Sequence, residues 1–182
     1  GYARQGFFEL IVIAGIVLAA LLVSDEVLER DAGRERRAFN LLGMLLLAIA
    51  DLEMLLDTAD VAAALSVESQ LGTDAVFAAD LMALRPQVGQ GVSAARLRAL
   101  LAGSEIMASH RDPALCTRVQ DAYSLRCSPQ VHGAARDTVD HAALVASREL
   151  ASAVDNPVVT SDGRVESNGN FHGAPVAYVL DF

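Results

Sequence analysis

Gln120, Tyr123 and Arg126 stand at three-residue spacing in the stretch RVQDAYSLRCSPQ, Arg118 to Gln130. Residues three or four apart share a face when a segment forms a helical turn. An amide, a phenol and a guanidinium would then stand together, a set suited to an amino-acid ligand. The guanidinium forks onto a carboxylate, while the amide and phenol address an amine or a reacting proton. The same spacing also fits a structural network in which Arg126 pairs an acid such as Asp121, and spacing alone favours that plainer arrangement.

A second concentration is NGNFHGAP, Asn168 to Pro175. Its glycines permit close backbone approach, and Phe171 and His172 stand just ahead of a helix start. Taken alone, these are a core phenylalanine and a satisfied histidine. Asp137 and His141 make an i,i+4 pair of the kind found on solvated helix surfaces. Cys116 and Cys127, with His110 and His132 nearby, match no standard zinc spacing, so no metal is expected.

The elements that must position these groups are mostly helical. Leu41 to Leu71 carries leucine, methionine and alanine at three-to-four spacing with acids opposite, and Gly72 reads as its stop. Thr73 to Leu84 is a shorter helical piece, and RPQVGQ is a turn punctuated by proline and glycine. Ser93 is expected to cap SAARLRALLAG, whose apolar positions 94, 97, 100 and 101 form one stripe before Gly103. A long helix is expected over Val131 to Val154, stopped before Asn156-Pro157 because a residue preceding proline is pushed out of the helical region. Val158 to Ser167 reads as a hairpin around Asp162-Gly163. After Asn168-Gly169-Asn170 a last helix begins, with Pro175 in its permitted first turn.

The 182 residues suit one domain or a piece of a larger one; the chain begins without methionine and ends inside an expected helix, as a fragment would. A hydrophobic fraction of 53% with only 5% aromatics points to aliphatic helix packing. A net charge of −9 argues against nucleic acid, which requires a basic surface. Two cysteines without a paired motif suit a reduced, cytoplasmic chain. Phe7 to Val23 is apolar except for Glu9, and its uninterrupted part is shorter than a standard membrane span. A short or tilted membrane helix, a signal-anchor core and a buried helix are all open readings of it. Membrane contact is expected only through residues 7–23.

RVQDAYSLRCSPQVHGAARD, ASAVDNPVV and ESNGNFHGAPVAYVLDF, in this order, resemble the aromatic amino-acid ammonia-lyase family, in particular its bacterial histidine-specific branch. GTDAVFAADLMALRP and LRALLAGSEIMASHRDP extend the resemblance over about residues 41–182. Plant phenylalanine-specific members read approximately QDRYALRTSPQ and GGNFQG at the same places. Arg118-Val119, Cys127 and His172 therefore favour histidine over phenylalanine or tyrosine as the implied substrate. Gln87 departs from the histidine that many histidine-specific members carry there.

The resemblance implies a long-helix bundle of the ammonia-lyase/fumarase-like type, mainly α with one small β-hairpin. It implies conversion of L-histidine to trans-urocanate and ammonia, the first step of histidine breakdown, in a homotetramer. The electrophile of the family is a 4-methylidene-imidazol-5-one formed from Ala-Ser-Gly, a tripeptide absent from this chain. By motif carry-over Arg126 holds the substrate carboxylate, Tyr123 and Gln120 line the catalytic pocket, and Phe171 and His172 bind substrate. Asn156 and Asn170 are supporting positions. The asparagine that family members place before the first of these helices falls on Arg36 here, not on Asn40. Residues 1–40 do not resemble the lyases and are expected to be a foreign segment, faintly like a multi-pass bacterial membrane protein. A non-catalytic, membrane-anchored helical protein built on a lyase segment is therefore the alternative reading.

Overall fold

The computed structural model describes residues 35–111, 114–116 and 118–182, with side chains in the first helix described from residue 43 onward. The apolar run Phe7–Val23 lies outside the described residues. Among the described residues seven α-helices follow one another: α1 Glu35–Ser69, α2 Ala79–Ala83, α3 Val88–Leu100, α4 Glu105–Ser109, α5 Tyr123–Arg126, α6 Ser128–Leu150 and α7 Ala174–Asp181. A 3-10 turn occupies Ala75–Phe77, and strands β1 Val158–Val159 and β2 Val165–Glu166 form the antiparallel hairpin expected around Gly163. Gly163 takes the turn's left-handed position at φ 83°. Among the described residues no helix is long and apolar enough to cross a membrane.

The described residues divide into two compact units, Leu52–Asp140 and the described residues up to Asp51 together with His141–Phe182. The core of the first unit gathers Ala64 and Val67 of α1, Phe77, Ala94 and Leu97 of α3, Leu101, Met107 and Leu125. Burying each of the large apolar side chains contributes about 1.5–3 kcal/mol. α4 is started by Ser104, whose hydroxyl accepts the Met107 N–H at 3.1 Å.

Beside this core lies an ion network. Asp60 is 0% exposed and receives Arg96 Nε at 3.1 Å, Arg136 Nη2 at 2.6 Å and His132 Nδ1 at 2.8 Å. Asp57 adds contacts to Arg136 at 2.8 Å and Arg96 at 3.2 Å. Burial works against the charge on Arg136, but hydrogen bonds to Asp57 and Asp60 outweigh it and hold the guanidinium above its usual pKa. The network joins α1, α3 and α6 within this unit.

Three boundaries differ from the sequence-based expectation. Ser93 does not cap a helix: α3 begins five residues earlier, and Ser93 is buried inside it, accepting Arg136 Nε at 3.0 Å. The supposed turn at Val88-Gly89-Gln90 is helical because α3 crosses α6 there with the two backbones in contact. A Cβ on Gly89 would stand 2.2 Å from Gly133 O, and one on Gly133 would stand 2.2 Å from Gln90 N. Asp137 takes the Gly89 N–H at 2.8 Å, so it supports this crossing from within the protein rather than serving only a solvated surface pair. Finally, α6 starts at Ser128 and ends at Leu150, before the Val154 expected, with turns carrying the chain on to Asn156-Pro157, whose peptide is cis.

Candidate functional site

The end of α1 sets up the loop that carries the polar motif. Leu71 adopts φ 51°, and the Gly72 N–H returns to Val67 O at 2.8 Å. Space beside the glycine is tight. A Cβ at position 72 would sit 3.3 Å from Asp121 Oδ2 and 3.2 Å from Val67 Cγ1. Asp121 is buried, and its Oδ2 accepts the Thr73 N–H at 2.7 Å. Its Oδ1 receives Arg118 Nη1 at 2.9 Å. The same Nη1 reaches the carbonyls of Gln70 and Leu71 at 3.0 and 3.3 Å. Arg118 therefore places a cation on the carbonyl end of α1, where unsatisfied acceptors and the helix dipole favour one.

This arrangement bears on the structural-network reading of the motif. Asp121 is occupied by Arg118 and Thr73, so Arg126 does not pair it. Among the described residues the Arg126 side chain forms no ion pair or hydrogen bond, and its guanidinium carbon lies 4.6 Å from the centroid of the Tyr123 ring. Its Nε is buried and without a partner, as is Oε1 of Gln130. A stacked guanidinium with open donors is suited to an incoming carboxylate. Tyr123, at 72% exposed, and Gln120 also make no side-chain hydrogen bond among the described residues.

Gln120 does not share a helical turn with the other two. α5 covers only Tyr123–Arg126, and Gln120 lies on the preceding loop. There it lines a cleft of about 580 Å³ with Gly72, Thr73, Met107, His110 and Arg118. Arg118 and Asp121 tie this loop back to the end of α1. His110 bridges two carbonyls in this cleft, Ile106 O and Gly72 O, each at 2.7 Å. His132 belongs to the Asp60 network, and Cys116 and Cys127 are free thiols. Among the described residues no group of three or more His, Cys, Asp or Glu side chains could hold a metal.

The second motif lies in the other compact unit. Asn156 Oδ1 accepts the Asn168 N–H at 3.0 Å, Asn168 Nδ2 donates to Asp155 O at 2.9 Å, and Asn168 Oδ1 accepts the Asn170 N–H at 2.8 Å. Asn168, to which the sequence assigned no role, is the centre of this loop; an asparagine beside glycine was the available signal. The His172 ring accepts the Ala174 N–H through Nδ1 at 3.2 Å, next to the start of α7. Phe171 is not a core residue: it is 59% exposed. The Asn170 side chain makes no hydrogen bond among the described residues. Pro175 occupies the first turn of α7, as expected.

A family model for aromatic amino acid lyases matches residues 40–182. The chain belongs to the aromatic amino acid lyase family. Residues 1–51 match a separate model, a domain of unknown function (DUF4153). Histidine ammonia-lyase of Streptomyces avermitilis is 68% identical over 142 residues, covering 78% of this chain and 27% of that protein. The chain thus spans about a quarter of the length of its curated relatives. Tyrosine aminomutase of Streptomyces globisporus superposes with a TM-score of 0.71 at 33% identity, covering 79% of this chain and 30% of that one. Histidine ammonia-lyase of Trypanosoma cruzi superposes with a TM-score of 0.64 at 36% identity, covering 77% and 25%. The mainly α lyase fold expected for residues 41–182 is the fold observed.

Proposed function

We propose that this lyase-family segment is a central part of a histidine ammonia-lyase, which converts L-histidine to trans-urocanate and ammonia. The observation that carries the reading is Arg126, stacked on Tyr123 with open donors inside the QDAYSLR motif. The 68% identity to a histidine-specific relative supports histidine over phenylalanine or tyrosine.

In this reading Arg126 binds the substrate carboxylate and thereby fixes the amino-acid end. Gln120 and Tyr123 line the site near the substrate amine, where an amide and a phenol can hold or exchange a proton. Phe171 and His172 contribute to substrate binding in the assembled enzyme, and Asn156 and Asn170 support their loop. The family's 4-methylidene-imidazol-5-one supplies the electrophile that activates the substrate. Its Ala-Ser-Gly precursor is not in this sequence, so these residues offer only neighbouring walls: an amide, a phenol and a guanidinium without internal partners are compatible with that place. No metal enters the scheme.

Assembly as a cytoplasmic homotetramer follows from the same reading. Met54, Leu55, Val61 and Leu65 leave exposed apolar side chains along α1, a surface that helix packing in such an assembly would cover. We divide the chain into a foreign segment, residues 1–40, and a partial lyase domain, residues 41–182. The separate match over residues 1–51 favours that division, and a membrane-anchored, non-catalytic protein, suggested by the apolar run at residues 7–23, is the second reading. Alkaline carbonate extraction of membranes distinguishes it, since an anchored chain stays in the pellet.

The decisive experiment replaces the matching segment of the Streptomyces avermitilis enzyme with residues 40–182. The expected chimera forms urocanate from L-histidine, read by its ultraviolet absorbance, and does not turn over L-phenylalanine. An assembled chimera inactive on L-histidine would overturn the reading. The 182-residue chain by itself is expected to form no urocanate, because it cannot build the electrophile.

A further inference from the structure

Among the described residues, two buried side-chain polar atoms lack a hydrogen-bond partner: Arg126 Nε and Gln130 Oε1. One is an N–H donor and the other a carbonyl acceptor. They lie four residues apart, on either side of Cys127, where α5 passes into α6 at φ −101° and ψ 8°. The backbone keeps its bonds through this bend: Cys127 O accepts Gln130 N–H at 3.1 Å and Val131 N–H at 3.2 Å. The unsatisfied atoms are thus confined to the two side chains. Folded proteins leave few such atoms, and a complementary pair on one bend calls for a physical role.

We propose that Gln130 is a positioning residue for Arg126, its Oε1 accepting the Arg126 Nε–H when a substrate carboxylate engages the two terminal nitrogens. The proposal rests on the carboxylate-binding role of Arg126 given above. Stacking on Tyr123 at 4.6 Å constrains the plane of the guanidinium but supplies no acceptor. An end-on carboxylate uses two parallel N–H bonds from the terminal nitrogens and leaves Nε as the inward donor. With Nε held by Gln130, the fork is presented in one orientation. Without that bond, the guanidinium turns about its last side-chain bonds, and the carboxylate must select among its orientations. Asp121 is engaged elsewhere: its two oxygens accept from Arg118 and Thr73, and it makes no bond to Arg126 among the described residues.

The test uses the 15N-labelled 182-residue chain and the NMR signal of Arg126 Nε–H, assigned by its loss in Arg126→Lys. L-histidine is the probe, and L-histidinol, which lacks the carboxylate, is the control. L-histidine is expected to move the signal downfield and slow its exchange with water, and L-histidinol to leave it in place. Gln130→Met, which removes the acceptor at similar volume, should abolish the shift and weaken L-histidine binding about tenfold. Gln130→Glu, which keeps an acceptor and adds charge, should restore the shift and carry it further downfield. Retention of both shift and affinity in Gln130→Met overturns the positioning role. Should Gln130→Met not fold, a Gln130→Glu signal identical to that of the unsubstituted chain overturns it instead. An unsubstituted chain whose Arg126 signal ignores L-histidine removes the carboxylate-binding role itself, and the proposal with it.

Discussion

Arg118 Nη1 lies 2.9 Å from Asp121 Oδ1, and this pair releases Arg126 from any internal acid. Two arginines of one short motif thereby do opposite things. Arg118 closes the end of α1, and the Arg126 side chain makes no hydrogen bond among the described residues, which is what the proposed carboxylate-binding role requires. In a lyase containing this segment, Arg126→Ala should raise the KM for L-histidine by about 10- to 100-fold, the value of a charged hydrogen-bonded contact. Steady-state urocanate kinetics reads this directly, and an unchanged KM would remove the assigned role.

Asp60 is the acid that three cationic or polar side chains share in a buried place. Removing it leaves Arg136 and Arg96 with reduced compensation. Asp60→Ala should therefore cost about 3–5 kcal/mol, the range for breaking a buried ion pair from one side. Urea unfolding of the isolated chain measures it. A loss below about 1 kcal/mol would mean that solvent replaces the network.

The α3–α6 crossing predicts opposite outcomes for two glycines. In Gly133→Ala the new methyl meets the backbone of Gln90 and Gly89, which cannot swing aside, so about 1–3 kcal/mol or more should be lost. Gly91 lies in α3 with open space on its Cα: nothing stands within 4 Å of the place a methyl would take. Gly91→Ala should gain about 0.5–1 kcal/mol from helix propensity. Thermal melts of the two variants side by side would expose an error in the crossing as equal effects.

Glu53 predicts a pH dependence. Burial, then the nearby Asp140 and Asp57, raise its carboxyl above the ordinary 4.5, with Arg136 opposing in part. The folded chain therefore holds this proton more tightly than the unfolded chain. The associated stability is fully present below pH 4.5 and is lost as pH rises through the folded value. Glu53→Gln should raise Tm by about 1–2 °C at neutral pH, with the gain shrinking as the pH falls toward 4.5. A gain that grows on acidification would reverse the assignment.

Elements whose signals are local were legible in the sequence. The long apolar period of α1, the Asp162-Gly163 turn and the proline at the start of α7 each depend on residues within a few positions. The start of α3 was not legible, because the helicity of Gly89 depends on Gly133 across the crossing and on Asp137 holding its N–H. Asp60 was hidden for a similar reason: an acid on a leucine-rich helix looks solvated until Arg96, His132 and Arg136 arrive from α3 and α6. Gln130 carried no signal beyond its place in the motif, since only burial reveals an unsatisfied amide.

The order and wording of the motifs, set down in the sequence, were sufficient to identify a lyase segment and the chemistry its side chains offer. Which arginine remained free was decided only in three dimensions. Asp121 lies between Arg118 and Arg126 in the chain, close enough to serve either. The Thr73 N–H, 48 residues away, draws one of its oxygens to the end of α1, where Arg118 takes the other. That long-range bond commits the acid, and no spacing within RVQDAYSLRCSPQ encodes it.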